Sequence, residues 1–202
     1  MKLYYSPGAC SLSPHIALRE AGLPFDLVQV DLGTKKTKDG ADFTKINPNG
    51  YVPALQLGDN DVLTEGPAIV QYIADQKPDS GLFPKAGSKD RYHAQETLNF
   101  ITTELHKTIG SLFSKDMPDA YKPVVQKKAM ARLAHVDGRL ASKPFLLGDK
   151  FSVADGYLFT VAGWGQHVGL DISPLKNLSG FMDRVAQRPA VQAALKAESL
   201  GK

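Results

Sequence analysis

The chain predicts an α/β domain followed by an all-α one, and three observations carry that expectation. The first 76 residues alternate short strand-like runs with helical ones, in the order βαβ and then ββα. From Asp90 onward apolar residues recur at spacings of three and four, with no convincing strand. Between the two textures, Pro78 to Ser88 sets two prolines and two glycines around Leu82 and Phe83, the composition of a connection. The expected boundaries are therefore 1–77 for the first domain, 78–88 for the connection and 89–202 for the helical domain.

In the first domain, Leu3–Tyr5 reads as a strand and Ser13–Ala21 as a helix. Pro14 falls in that helix's first turn, where a missing N–H costs least, and Gly22 stops it. Phe25–Asp31 alternates apolar and polar residues as a second strand. Val52–Leu57 and Val62–Leu63 flank Gly58-Asp59-Asn60-Asp61, a hairpin signal. Gly66-Pro67 then opens a helix through Ile73, giving a four-stranded mixed sheet with helices against it.

In the second domain, Asp90 to about Leu112 is expected to be helical, with Leu98, Ile101, Leu105 and Ile109 on its apolar stripe. Met117-Pro118 and Lys122-Pro123 interrupt before a long helix, Val124–Leu140. Ser152-Val153-Ala154-Asp155 is a capping-box signature with aspartate in the glutamate place. It precedes a hydrophobic helix, Tyr157–Trp164, expected to run through the middle of the domain. Two shorter helices, Ser179–Arg188 and Ala190–Glu198, are divided by Pro189. There are no repeats and no low-complexity tracts.

Composition narrows the function classes. Hydrophobic residues at 43% and charged residues at 22% suit a soluble globular protein. The charge of +3 is too small and too evenly spread for a nucleic-acid partner. No apolar run approaches the roughly 18–20 residues of a membrane span. Met1-Lys2-Leu3-Tyr4-Tyr5-Ser6-Pro7 lacks a signal-peptide stretch, so a cytoplasmic protein is expected. One cysteine in 202 residues rules out an internal disulfide or a cysteine-rich metal site. His15, His93, His135 and His167 show no ligand spacing, so no metal is expected and these histidines read as structural or surface residues.

The chemistry-bearing positions are few. Cys10 lies where the first strand turns into the first helix, and the unpaired N–H groups of a helix's first turn stabilise a thiolate. A lone cysteine is also commonly a small buried hydrophobe. Cys10-Ser11-Leu12-Ser13 has the C-x-x-S form, able to make a mixed disulfide but not an internal one. Pro53 opens a strand-like run, which marks either a sheet edge or a cis peptide. In a thioredoxin-like sheet, a cis proline there exposes the backbone of Val52 to an extended peptide ligand. Glu65, beside the N-terminus opened by Gly66-Pro67, suits an α-amino-acid head, or serves simply as a cap. Asn99, Thr103 and His106 recur at i, i+4 and i+7, one face of a helix and equally the pattern of a solvated stripe.

These pieces resemble a known family. Ser6-Pro7-Gly8-Ala9-Cys10-Ser11, Asn47-Pro48-x-Gly50-x-Val52-Pro53-Ala54-Leu55, Leu63-Thr64-Glu65-Gly66, Glu104-Leu105-His106-Lys107 and Ser152-Val153-Ala154-Asp155 are similar, in order and spacing, to the motifs of cytosolic glutathione transferases. The resemblance is greatest to the bacterial beta class, and within it to transferases found with biphenyl-degradation pathways. It implies the glutathione transferase fold, with glutathione as co-substrate, a hydrophobic electrophile as second substrate, a homodimer and a role in xenobiotic detoxification. Cys10 and His106 would be the catalytic residues. Val52, with Pro53, would pair with the cysteinyl backbone, Glu65 and Gly66 would hold the γ-glutamyl head, and Lys35 would reach the glycyl carboxylate. Asn99, Thr103 and Glu104 would complete the glutathione site, Glu104 in the neighbouring subunit of a dimer. Ser11 is a fallback hydroxyl donor, and Lys107 raises the local positive potential. The electrophile would enter an apolar pocket between the domains, with Phe113 and Trp164 in its lining. Two alternatives stay open: a glutaredoxin-like monothiol disulfide oxidoreductase using Cys10, and a non-catalytic ligand-binding scaffold.

Overall fold

The computed structural model describes residues 1–199 and divides into two compact units. Among the described residues, one runs from Met1 to Phe83 and takes in 188–199; the other is Pro84–Gln187. Their boundary falls inside the expected connection. Among the described residues, no helix is long and apolar enough to cross a membrane.

The first unit is built on a mixed sheet. Its strands are β1 (Lys2–Tyr5), β2 (Asp26–Asp31), β3 (Lys36–Thr37), β4 (Ala54–Gly58) and β5 (Asp61–Thr64), in the order β3-β2-β1-β4-β5. β1 pairs parallel to β2 with Leu3 opposite Leu27, and antiparallel to β4 with Leu3 opposite Leu55. The parallel pair requires a crossover, which α1 (Leu12–Ala21) supplies. α2 (Gly66–Asp75) follows the β4–β5 hairpin and packs on α1. Alternation along β1 sends Tyr4 to one face, where it meets Phe43, Val30, Val52 and Ala54 in a buried cluster. Leu3 points to the other face and is fully buried. The sheet has five strands where the sequence suggests four. β3 is two residues inside the basic Lys35-Lys36-Thr37-Lys38 run, too short to show alternation.

The second unit is helical: α3 (Lys89–Phe100), α4 (Lys107–Ser111), α5 (Lys122–Leu140), α6 (Val153–Gly163) and α7 (Lys176–Ala186). Ser88 caps α3 by accepting the Arg91 N–H at 3.2 Å. Asp155 secures α6: one carboxylate oxygen accepts the Ser152 N–H and hydroxyl at 2.7 Å each, and the other accepts the Leu146 N–H at 2.8 Å. α6 is buried all round, as its apolar sequence predicts. Between α3 and α4 the chain winds as a π-helix, Ile101–His106.

The helical unit is shorter at its C-terminal end than the expected 89–202. α8 (Pro189–Ala197) packs on α1, burying Val191 and Ala194 within the first unit. The apolar spacing of α8 announces a helix but carries no address for it. Residues 200–202 lie outside the described residues.

Candidate active site

Cys10 stands at the mouth of α1, as its position between strand and helix predicts, one residue before the cap Ser11. The loop leading to it is a tight turn, with the Ala9 N–H on the Ser6 carbonyl at 3.0 Å. Ser11 locks this turn from within. Its buried hydroxyl accepts the Ser6 N–H at 3.1 Å and donates to the Ser6 carbonyl at 3.2 Å. Its single proton is thus committed, so Ser11 is not the spare hydroxyl donor the resemblance suggests. The Cys10 thiol is half-buried and donates to the Val52 carbonyl at 3.2 Å.

That contact joins two expected site residues 42 positions apart in the sequence. The Val52–Pro53 peptide is cis, which decides between the two readings of Pro53. Gly66 lies against Pro53: a Cβ there would stand 4.0 Å from the proline Cγ. The mouths of α1 and α2 and the head of β4 are thereby brought together. Glu65 precedes α2 with φ +64 and ψ +113, a conformation that L-residues avoid. Such strain persists where surrounding structure over-determines it, and it concentrates at ligand clamps. Lys35 also has positive φ, at +56. Its ammonium donates to the Gly50 carbonyl at 3.0 Å and lies 5.6 Å from the centre of the Tyr51 ring. Its stem crosses Gly50 so closely that a Cβ there would meet Lys35 Cδ at 3.2 Å. Lys35 is held beside the Gly50–Pro53 segment, not loose in a solvated run.

The remaining expected residues lie on the helical unit, around the π-helix. Its i→i+5 pattern, seen where the Lys107 N–H bonds the Thr102 carbonyl, slows the turn and puts His106 out of phase with Asn99. The three-residue face expected from α-helical spacing is therefore broken. Asn99 and Thr103 are exposed, and Thr103 donates to the Asn99 carbonyl at 3.0 Å. His106 turns partly inward instead. Its Nδ1 lies 2.6 Å from the Tyr157 hydroxyl, and Trp164 meets the ring edge-on at 4.9 Å. Burial, with a smaller push from Lys107, lowers the His106 pKa to about 4. The ring is neutral at neutral pH, so it can act as a hydrogen-bond donor rather than a cation. Glu104 accepts from Arg132 Nε at 2.7 Å, so its carboxylate is already paired within the unit. Phe113 meets Trp164 edge-on at 6.1 Å and is half exposed.

One part of the loop's support is invisible in the sequence. Glu198, just past α8, is buried and accepts the Gly8 N–H at 3.0 Å, two residues before Cys10. Its other oxygen is 2.8 Å from His15 Nδ1, while His15 Nε2 is 2.8 Å from Arg19 Nε. An arginine only donates, so Nε2 accepts and Nδ1 carries the proton given to Glu198. His15 is structural, as expected, but only the fold reveals its partner 183 residues away.

The chain matches the family model for the glutathione S-transferase N-terminal domain over residues 8–76 and that for the C-terminal domain over residues 100–189. It is 48% identical to glutathione S-transferase GstA of Escherichia coli O157:H7, across 99% of this chain and 100% of that one. Solved structures include a ternary complex of BphK, a bacterial glutathione transferase, at 58% identity and TM-score 0.97, covering 99% of this chain and 100% of that one. A sphingomonad glutathione S-transferase complexed with glutathione matches at 49% identity and TM-score 0.96, over 100% of both chains. The bacterial beta-class enzyme of Sphingomonas chungbukensis matches at 50% identity and TM-score 0.96, over 99% and 100%. Covered end to end by such relatives, the chain belongs to the glutathione S-transferase family, among its bacterial beta-class members.

Proposed function

We propose that this glutathione transferase binds reduced glutathione along the Cys10–Val52–Glu65 edge of its first unit and transfers it to hydrophobic electrophiles, activated aryl halides among them. The observation that carries the reading is the 3.2 Å contact of the Cys10 thiol with the Val52 carbonyl beside Pro53. It sets a sulfur against the backbone that an extended cysteinyl peptide would pair with. Glu65, next to the N-terminus of α2, supplies a carboxylate for the γ-glutamyl ammonium, and the first-turn N–H groups suit its α-carboxylate. Lys35, already beside Gly50, gives the glycyl carboxylate a cation.

In conjugation, the bound thiol loses its proton to solvent, and the thiolate attacks the carbon bearing the halogen. A C–S bond forms and halide leaves. Cys10 donates weakly and does not replace a hydroxyl in holding that thiolate. His106 contributes as a neutral donor, and Phe113 with Trp164 offers the electrophile an aromatic wall. A homodimer is the working assembly. The thiol also supports a second activity. The Cys10 thiolate attacks one sulfur of glutathione disulfide, forming a protein–glutathione disulfide and expelling one glutathione thiolate.

The test is a pair of assays on wild type and Cys10→Ala. Conjugation to 1-chloro-2,4-dinitrobenzene should largely survive the substitution, whereas disulfide exchange should vanish. No heat of glutathione binding to the well-folded wild type would discard the reading in favour of a scaffold.

A further inference from the structure

We propose that Tyr157 is a positioning residue for His106: its hydroxyl donates to Nδ1 and holds the ring as the Nε2–H tautomer, so that His106 presents a neutral hydrogen-bond donor to the reacting sulfur. The inference rests on the reading of His106 as an active-site residue, and the pairing itself stands on geometry. The hydroxyl and Nδ1 are 2.6 Å apart, with the rings edge-on at 80° and their centres 5.7 Å apart, so the hydroxyl meets the edge of the imidazole. A neutral imidazole has one accepting and one donating nitrogen. A phenol gives its proton readily but accepts poorly, because its lone pairs are delocalised into the ring. The pair therefore settles with the hydrogen on Tyr157, the lone pair on Nδ1 and the imidazole proton on Nε2.

The surroundings make this pairing rigid. Tyr157 is 2% exposed and lies two residues beyond Asp155, whose capping box fixes the start of α6. Trp164, at the C-terminal end of the same helix, meets the His106 ring at 70° and fixes its plane. The ring's low pKa is consistent with a single neutral form at working pH. A phenylalanine would fill the space at 157 as well; only the hydroxyl can choose the tautomer. Without it, Nδ1 loses its donor and the proton is free to move there, leaving Nε2 an acceptor that repels a thiolate.

The experiment is nitrogen NMR of histidine-labelled full-length protein, read with conjugation kinetics, for wild type, Tyr157→Phe, His106→Ala and the double variant. In wild type at neutral pH, His106 should show a protonated Nε2 and a bare Nδ1. Tyr157→Phe should move the ring toward a tautomer mixture and lower kcat/KM about tenfold. In the His106→Ala background the same change should cost less than twofold. A wild-type Nδ1–H tautomer overturns the proposal and needs no variant to fold. An equal loss from Tyr157→Phe in both backgrounds overturns it too, since the hydroxyl would then act elsewhere. A shifted tautomer with unchanged turnover supports the Tyr157–His106 pairing and overturns only the placement of His106 at the reacting sulfur.

Discussion

Single side chains in this molecule carry opposed demands, and Glu65 is the sharpest case. With φ +64 and ψ +113 it holds a conformation that costs an L-residue on the order of 1–3 kcal/mol. Glycine adopts positive φ without that penalty but loses more entropy on folding. Glu65→Gly should therefore leave the melting temperature unchanged or slightly higher, while weakening glutathione binding more than tenfold. Calorimetry of unfolding and of binding reads both. A large loss of stability would mean the carboxylate serves the fold rather than the ligand. His106 gives a pH signature. Its native pKa of about 4 lies below the ordinary 6.5, so between those values the unfolded chain takes up a proton that the native ring refuses. Its contribution is intact above pH 6.5 and is lost as pH falls toward 4. Asp155 acts in the opposite sense: burial raises its carboxyl to about 6 from 3.8, against three hydrogen bonds, and its contribution fades as pH rises across that interval. The two effects overlap in wild type. Urea titrations of His106→Gln from pH 4 to 7 should therefore show less acid destabilisation than wild type.

At the level of elements, ends matter more than middles. α1 closes on Gly22 in a left-handed cap, φ +64, where a Cβ would meet nothing within 4 Å. Gly22→Ala then carries a backbone penalty alone, about 1 kcal/mol, and Gly22→Asn should recover part of it. α6 depends on Asp155. Asp155→Ala strands the buried N–H groups of Leu146 and Ser152 and should cost about 2–4 kcal/mol in denaturant midpoints. The π-helix at Ile101–His106 is the element that spacing could not reveal. Leu98, Ile101, Leu105 and Ile109 satisfy an α-helical stripe, and nothing in their order marks the added residue per turn. Yet that turn sets His106 against Tyr157 and Trp164, away from the phase of Asn99.

Across the whole molecule, the closing segment governs the opening one. Glu198 accepts from Gly8 and His15 inside the first unit, and Arg188 pairs with Glu20 at 2.6 and 2.8 Å. In Glu198→Gln, one of these two donors faces an amide NH2, so a loss of about 1–3 kcal/mol is expected. Hydrogen exchange should locate that loss in α1 and the Ser6–Cys10 loop and spare α5. Equal loosening of both would contradict the division into two units.

Cys10, Pro53, the Ser152–Asp155 box and the change from strand to helical periodicity were written in the chain, because each depends on a few neighbours along the backbone. Local chemistry of that kind places a thiol before a helix, a proline before a strand and a cap before an apolar run. The pairing of His106 was not. Nor were the anchoring of Lys35 and the return of α8 to α1. They arise from residues far apart in sequence meeting in buried surroundings, where every polar group must find a partner and packing selects which one it finds.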